Sequence, residues 1–362
     1  MNSKKFSQFE GMRALACIGV YLCHFSGAFF PNSKILEGIQ KTPFNIMLSG
    51  NTMVRILFIL SGFVVSIKYI GYKKYGSLSG DCVKRYFRLV FPLFIVNVAV
   101  YILMKEHLLF NQIVGSMTGS ENFLSMFNTF EPTFKQSLYE GLWGNLFTGA
   151  NGYLGPAWTM QYEMYGVLLI LAVLAIFRDK ALRYCFSVIY LIAFTSYYRY
   201  FVLGMLICDL YFDIEERVIK KQWVLVFLFV VSLSGTEYLE NIDGNTIQSV
   251  LYSAGMIIIF LCILKCKLIG RIFSAKFLQK IGSHSYAIYL IHWPIIESFS
   301  CWFYLTIGSS RVLLILNLIL SFSIILVLST TLTKYCIIPM NILSNYIGNI
   351  IVDKKECNKA EK

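Results

Sequence analysis

About ten times along this chain an apolar run approaches or reaches the length that crosses a bilayer. The runs fall near residues 9–30, 52–70, 89–104, 156–177, 182–198, 200–214, 223–236, 246–264, 284–306 and 311–338. Roughly 20 apolar residues span the hydrocarbon core as a helix. Inside it every backbone N–H and C=O must pair within the protein, so such runs fold as helices or closed barrels. Only 14% of the residues are charged and 57% are apolar, against about 25% charged in a soluble domain. The mean hydropathy is +0.63. The expectation is an all-α polytopic membrane protein of about ten transmembrane helices. A shorter apolar patch near 138–150 is too brief to span and reads as re-entrant or interfacial.

Charge sets an orientation. The 68–88 loop carries Lys68, Lys73, Lys74, Lys84, Arg85 and Arg88, and the 178–183 turn carries Arg178, Lys180 and Arg183. Arg217, Lys220 and Lys221 follow in 215–221, then Lys265, Lys267, Arg271, Lys276 and Lys280 in 265–280, and further lysines after 350. With ten spans and a cytoplasmic N-terminus, all of these fall on the cytoplasmic side, while 237–243 is acidic with Glu237, Glu240 and Asp243. This is the positive-inside pattern and puts both termini in the cytoplasm. It also accounts for the net charge of +12 without nucleic acid, because the cations sit in short loops rather than on one basic face. Lys4 and Lys5 precede the first run, but no small-x-small cleavage site follows, so that run is expected to stay as a helix. One membrane domain over 1–340 and a short cytoplasmic tail over 341–362 are expected. Most of the ten cysteines lie in apolar runs, with no Cys-x-x-Cys pair. They read as small packing residues, and no metal centre is expected.

Ionisable residues inside membrane helices are expensive and usually functional. Arg13 and His24 lie eleven residues apart in the first run. At 100° per residue they return to one helix face, with about 16 Å between them along the axis. Arg13 also suits a snorkelling anchor, and His24 a hydrogen bond to a neighbouring helix. Arg85 and Arg88, three apart before the third run, suit phosphate through their guanidinium forks or the positive-inside bias alone. Gly155-Pro156 opens the fourth run, and Glu163 follows about two turns in. Its partner is open between His24, an arginine and substrate hydroxyls. Ser285, Tyr289 and His292 form one stripe of a later helix, lining a polar cavity or making interhelical hydrogen bonds. Ser61-Gly62 in the second run allows close approach, and Arg55 before it faces the cavity or the outer interface.

Together these elements resemble membrane acyltransferase family 3, which includes the bacterial surface-polysaccharide O-acetyltransferases. The resemblance runs from Phe9 to about Pro339. It rests on Arg13 and His24; on the Phe-x-x-Ser-Gly-Phe element Phe58–Phe63; on Arg85, Arg88 and Pro92; on Trp158 to Glu163; and on Ser285, Tyr286, Tyr289, His292 and Pro294. Many members carry a second glutamate after the first, where this chain has Met164, and Arg55 replaces a position often neutral or acidic. Some members carry a C-terminal esterase-like domain, which this sequence does not show.

The resemblance implies an acyl-coenzyme A donor, acetyl-CoA first, and a hydroxyl acceptor on a surface glycan or lipid-linked saccharide, in a bacterial cytoplasmic membrane. It implies His24 and Glu163 as catalytic residues: His24 as general base or acyl carrier, and Glu163 orienting or charge-balancing its imidazole. Arg13, Arg85 and Arg88 would hold the donor. Ser61, Trp158, Ser285, Tyr289 and His292 would line the substrate cavity. A polytopic secondary transporter is the competing class, but no paired halves are legible.

Overall fold

The apolar runs fold as helices. The computed structural model describes residues 6–31, 33–34, 38–39, 42–73, 78–214, 221–240 and 246–360, and no strand occurs among them. Of the charges named above, Lys4, Lys5, Lys74, Arg217, Lys220 and Asp243 lie outside the described residues. The main helices are α1 (Ser7–Phe29), α2 (Gly50–Ile70), α3 (Leu78–Lys105), α4 (Trp158–Ile176), α5 (Lys180–Ala193), α6 (Tyr198–Asp213), α7 (Gln222–Glu240), α8 (Thr246–Lys265), α9 (Ser285–Ile295), α10 (Cys301–Thr306), α11 (Arg311–Leu332) and α12 (Ile338–Ala360).

Among the described residues, seven stretches are long and apolar enough to cross a membrane: Ser7–Phe29, Gly50–Ile70, Leu78–Lys105, Gly155–Ile176, Gln222–Leu239, Thr246–Lys265 and Arg311–Ile350. This is a multi-pass membrane protein. The other three expected spans are helical but shorter or interrupted. Helices α5 and α6 have 14 and 16 residues. The run after Ser285 is broken by a π turn at Ile296–Ser300, which separates α9 from α10. Pro294 lies inside α9 and has no N–H to donate, and a local π adjustment is a common answer to that loss. The patch near 138–150 falls in a short helix, Phe134–Tyr139, a π turn, Glu140–Gly144, and one more turn, Asn145–Phe147. It is anchored to α3 by Asn97 Nδ2 donating to Asn145 Oδ1 at 2.8 Å and by Tyr86 Oη donating to the Leu142 carbonyl at 2.9 Å.

The chain divides into two compact units. The first holds residues 1–19, 39–75 and 165–283, and the second holds 20–38, 76–164 and 284–362. In the first, α2 and α6 pack backbone to backbone. A Cβ on Gly62 would run into the Phe201 carbonyl, and one on Gly204 into the Ile59 carbonyl. Small residues let membrane helices approach this closely, and Phe58 then stacks on Phe201 with ring centres 4.8 Å apart. Arg183 is buried and meets Asp209 through two bonds, Nε to Oδ2 at 3.0 Å and Nη2 to Oδ1 at 2.7 Å. Its Nη1 also donates to the Arg178 carbonyl at 2.7 Å, satisfying a group left over where α4 ends. Arg55 lies over the rings of Tyr252 and Tyr200, 4.9 and 5.6 Å from their centres, so its charge meets aromatic faces within this unit.

In the second unit, Asn317 of α11 donates to the Ser300 carbonyl at 2.9 Å, and the Tyr21 hydroxyl lies 2.7 Å from that of Ser321. These bonds place polar groups inside a membrane helix where partners already exist. Residues 341–360, expected as a tail, continue α12. That helix packs on α3, with Lys84 Nζ 3.0 Å from Asn349 Oδ1 and Arg88 Nε 2.8 Å from Asn341 Oδ1.

Candidate functional site

The second unit gathers eight of the ten residues singled out from sequence: His24, Arg85, Arg88, Trp158, Glu163, Ser285, Tyr289 and His292. Arg13 and Ser61 belong to the first unit. Arg13 faces Glu10 one turn earlier, Nη1 to Oε1 at 3.3 Å. Helix α1 is unbroken from Ser7 to Phe29, so Arg13 and His24 share it. Ser61 sits beside the Gly62 contact described above.

His24 and His292 meet. Nδ1 of His24 lies 2.8 Å from Nε2 of His292. The ring centres are 5.0 Å apart and the planes differ by 20°. Because the centres are much farther apart than the two nitrogens, the rings touch edge to edge rather than face to face. His292 is 1% exposed, whereas His24 is half-buried. An aromatic wall surrounds the pair. Trp293 stands edge-on to His24 at 5.0 Å, and Phe123 approaches His24 at 5.8 Å. Phe127 packs edge-on against Trp293 at 5.1 Å. Phe123 and Phe127 come from the stretch between α3 and α4. There Asn111 Nδ2 donates to the carbonyls of Leu124 and Phe127 at 3.1 and 3.0 Å, and Ser120 donates to the Ala28 carbonyl at the end of α1 at 3.1 Å. Side-chain amide bonds of this kind substitute for regular backbone pairing in an irregular segment.

Of the three partners open for Glu163, the structure supplies an arginine: Glu163 Oε1 pairs with Arg85 Nη2. Both side chains are mostly buried, with 18% and 15% exposure for Arg85 and Glu163. A paired, largely desolvated carboxylate is the arrangement that avoids the penalty of an isolated one. Arg88, one turn further on, is exposed. The Tyr289 hydroxyl lies 2.8 Å from Thr159 Oγ1 and 3.1 Å from the Pro156 carbonyl, so it ties α9 to the turn that opens α4. Tyr286 donates to the Leu89 carbonyl of α3 at 2.7 Å. Trp158 stands edge-on to Tyr162 at 5.8 Å, and Ser285 is half-buried at the start of α9.

Sequence reasoning passed over Trp293, Phe123 and Phe127. Trp293 is adjacent to His292, and its size next to an ionisable residue was a usable signal. The two phenylalanines lie in a stretch with no periodicity, so nothing local marked them. Glu297 was also passed over. It is buried in the π turn, accepts from Asn128 Nδ2 at 2.9 Å, and offers its carbonyl to the Phe110 N–H at 2.9 Å.

The site can accept and return a proton at a half-buried imidazole inside an apolar, aromatic shell. Arg85, paired with Glu163 of α4, and the exposed Arg88 lie on neighbouring turns of α3 in the same unit. Residues 6–334 match a family model described as an acyltransferase domain. No match was found among curated proteins or among solved structures.

Proposed function

We propose, from the premise that this chain belongs to acyltransferase family 3 and is a membrane acyltransferase, that it moves an acetyl group from acetyl-CoA to a hydroxyl of a cell-surface polysaccharide or lipid-linked saccharide. The observation that carries this reading is the His24–His292 contact, which holds one imidazole, half-buried, against another that is buried. Histidine suits the step because a neutral imidazole takes a proton at one ring nitrogen and can return it from the same atom.

His24 takes the proton of the acceptor hydroxyl as that oxygen bonds to the thioester carbonyl carbon. The carbon–sulfur bond breaks as the tetrahedral intermediate collapses. The same proton then passes from His24 to the departing coenzyme A thiolate. Ester and free thiol are the products, and proton and charge balance. Arg88 holds donor phosphate, which its exposure and its guanidinium fork both suit. Arg85 is paired with Glu163 and holds that carboxylate in place. A part for Arg13 in holding the donor rests on the family resemblance.

The test is mass spectrometry of surface glycans from cells carrying the protein, its His24→Ala variant or neither. Loss of one acetyl mass in the last two, with the variant present in the membrane at normal level, is the expected result. Acetylation retained by His24→Ala would sink the role given to His24.

A further inference from the structure

The contact between the two histidines fixes more than a distance. Nδ1 of His292 lies 3.3 Å from the carbonyl oxygen of Ile288, one turn back on α9. A carbonyl oxygen offers only lone pairs, so the nitrogen facing it carries the hydrogen. In a neutral imidazole the other nitrogen is then bare, and Nε2 of His292 is the atom turned to His24. Nδ1 of His24, 2.8 Å away, must supply the hydrogen. In a neutral His24, the form that can act as a base, that leaves Nε2 with its lone pair.

The reverse arrangement fails on the same geometry. If His292 donated through Nε2 while neutral, its bare Nδ1 would face the Ile288 oxygen, acceptor against acceptor, in a residue 1% exposed. If it donated through both nitrogens it would be a cation in the shell formed with Trp293 and Ile288, both 1% exposed or less. Burying an unpaired charge in such a place is strongly disfavoured.

We infer that His292 is a positioning residue: it holds His24 as the Nδ1–H tautomer and so makes Nε2 of His24 the atom that takes the acceptor's proton. The catalytic half of this inference rests on the reading of His24 as the base; the tautomer does not. During transfer the proton arrives at Nε2 and leaves from it, while Nδ1–H stays bonded to the lone pair of His292. A buried neutral imidazole here does the orienting work that a carboxylate does in a catalytic triad.

The experiment is nitrogen NMR of the full chain, labelled on histidine and reconstituted in lipid. Four histidines are present, so His24→Gln suffices to assign the signals of His24. In the unsubstituted protein His24 is expected to show a protonated Nδ1 and an unprotonated Nε2. A protonated Nε2 with a bare Nδ1 overturns the inference without any variant. His292→Phe keeps the ring volume but removes the acceptor. It is expected to release the tautomer preference and to lower kcat about a hundredfold with the KM for acetyl-CoA unchanged, a smaller loss than a triad suffers from the wrong tautomer. His292→Gln, which returns an acceptor oxygen near the position of Nε2, is expected to recover most of kcat. Wild-type tautomer and kcat in His292→Phe would also overturn the inference. Transfer retained by His24→Ala removes the catalytic reading instead, and the wild-type spectrum still judges the tautomer.

Discussion

Arg85 and Glu163 show how a single contact changes what a residue can be asked to do. From sequence, Arg85 had the look of a phosphate holder and Glu163 three open partners. The structure pairs them, with most of both side chains out of water. Removing one member of such a pair strands a charge at a cost of about 3–5 kcal/mol, whereas replacing both with apolar residues is often neutral. Arg85→Met and Glu163→Leu are therefore each expected to lower thermal stability in detergent by more than the double variant does. Additive losses would show the two charges to be uncoupled. Arg88 makes the contrasting case because it is exposed. Arg88→Ala is expected to raise the KM for acetyl-CoA about tenfold with kcat nearly unchanged, and Arg88→Lys to fall between, having charge without the fork. Steady-state kinetics in membrane vesicles decide it, and an unchanged KM would leave Arg88 only a topological charge. The candidate site residues were legible because charge in an apolar run is rare. Their pairings were not, since His24 and His292 are 268 positions apart and no local pattern fixes which helices touch.

Helices were legible where apolar length alone decided them, and lost where a backbone defect or an amide-built segment intervened. Five of the seven long stretches match apolar runs to within three residues at each end, while Leu78–Lys105 begins eleven residues before its run and Arg311–Ile350 ends twelve after its run. The π turn at Ile296–Ser300 left no mark beyond Pro294, and the Asn111 and Ser120 bonds that set Phe123 and Phe127 beside the histidines left none. Close packing of α2 and α6 was half visible, in Ser61-Gly62 but not in Gly204. It yields a sharp expectation. Gly62→Ala and Gly204→Ala each drive a Cβ into a partner's backbone, where no side chain can rotate away. Overpacking of this kind costs roughly 1–3 kcal/mol or more. Gly235 lies in α7 with open space where an alanine methyl would sit, and replacing an unneeded helical glycine with alanine is stabilising by about 1 kcal/mol. Scanning fluorimetry of purified protein should give a lowered melting temperature for the first two and an unchanged or raised one for Gly235→Ala. Equal melting temperatures for all three would mean that α2 and α6 do not pack through these glycines.

At the scale of the whole molecule one segment decides the topology. With the seven long stretches alone, the two ends of the chain would fall on opposite sides of the membrane. Helices α5 and α6 form a consecutive pair, so whether they cross or not leaves the count of sides unchanged. The run 285–306 is single, and it alone sets where the C-terminus lies. Its 22 helical residues extend for about 33 Å at 1.5 Å each, enough for a hydrocarbon core of about 30 Å. Several of its polar groups have partners inside the protein: Glu297 Oε1 in Asn128, the Ser300 carbonyl in Asn317, and His292 in His24. A crossing also keeps Lys354, Lys355 and Lys359 on the side of Lys73 and Arg178, as the positive-inside bias requires. Reporter fusions at residue 75 and after residue 350 are expected to read cytoplasmic, and those at 240 and 308 external. A C-terminal reporter on the side opposite residue 75 would show that 285–306 does not cross. His292 would then sit on a helix that enters and leaves by the same face, and an acceptor reaching His24 from outside would need a different route.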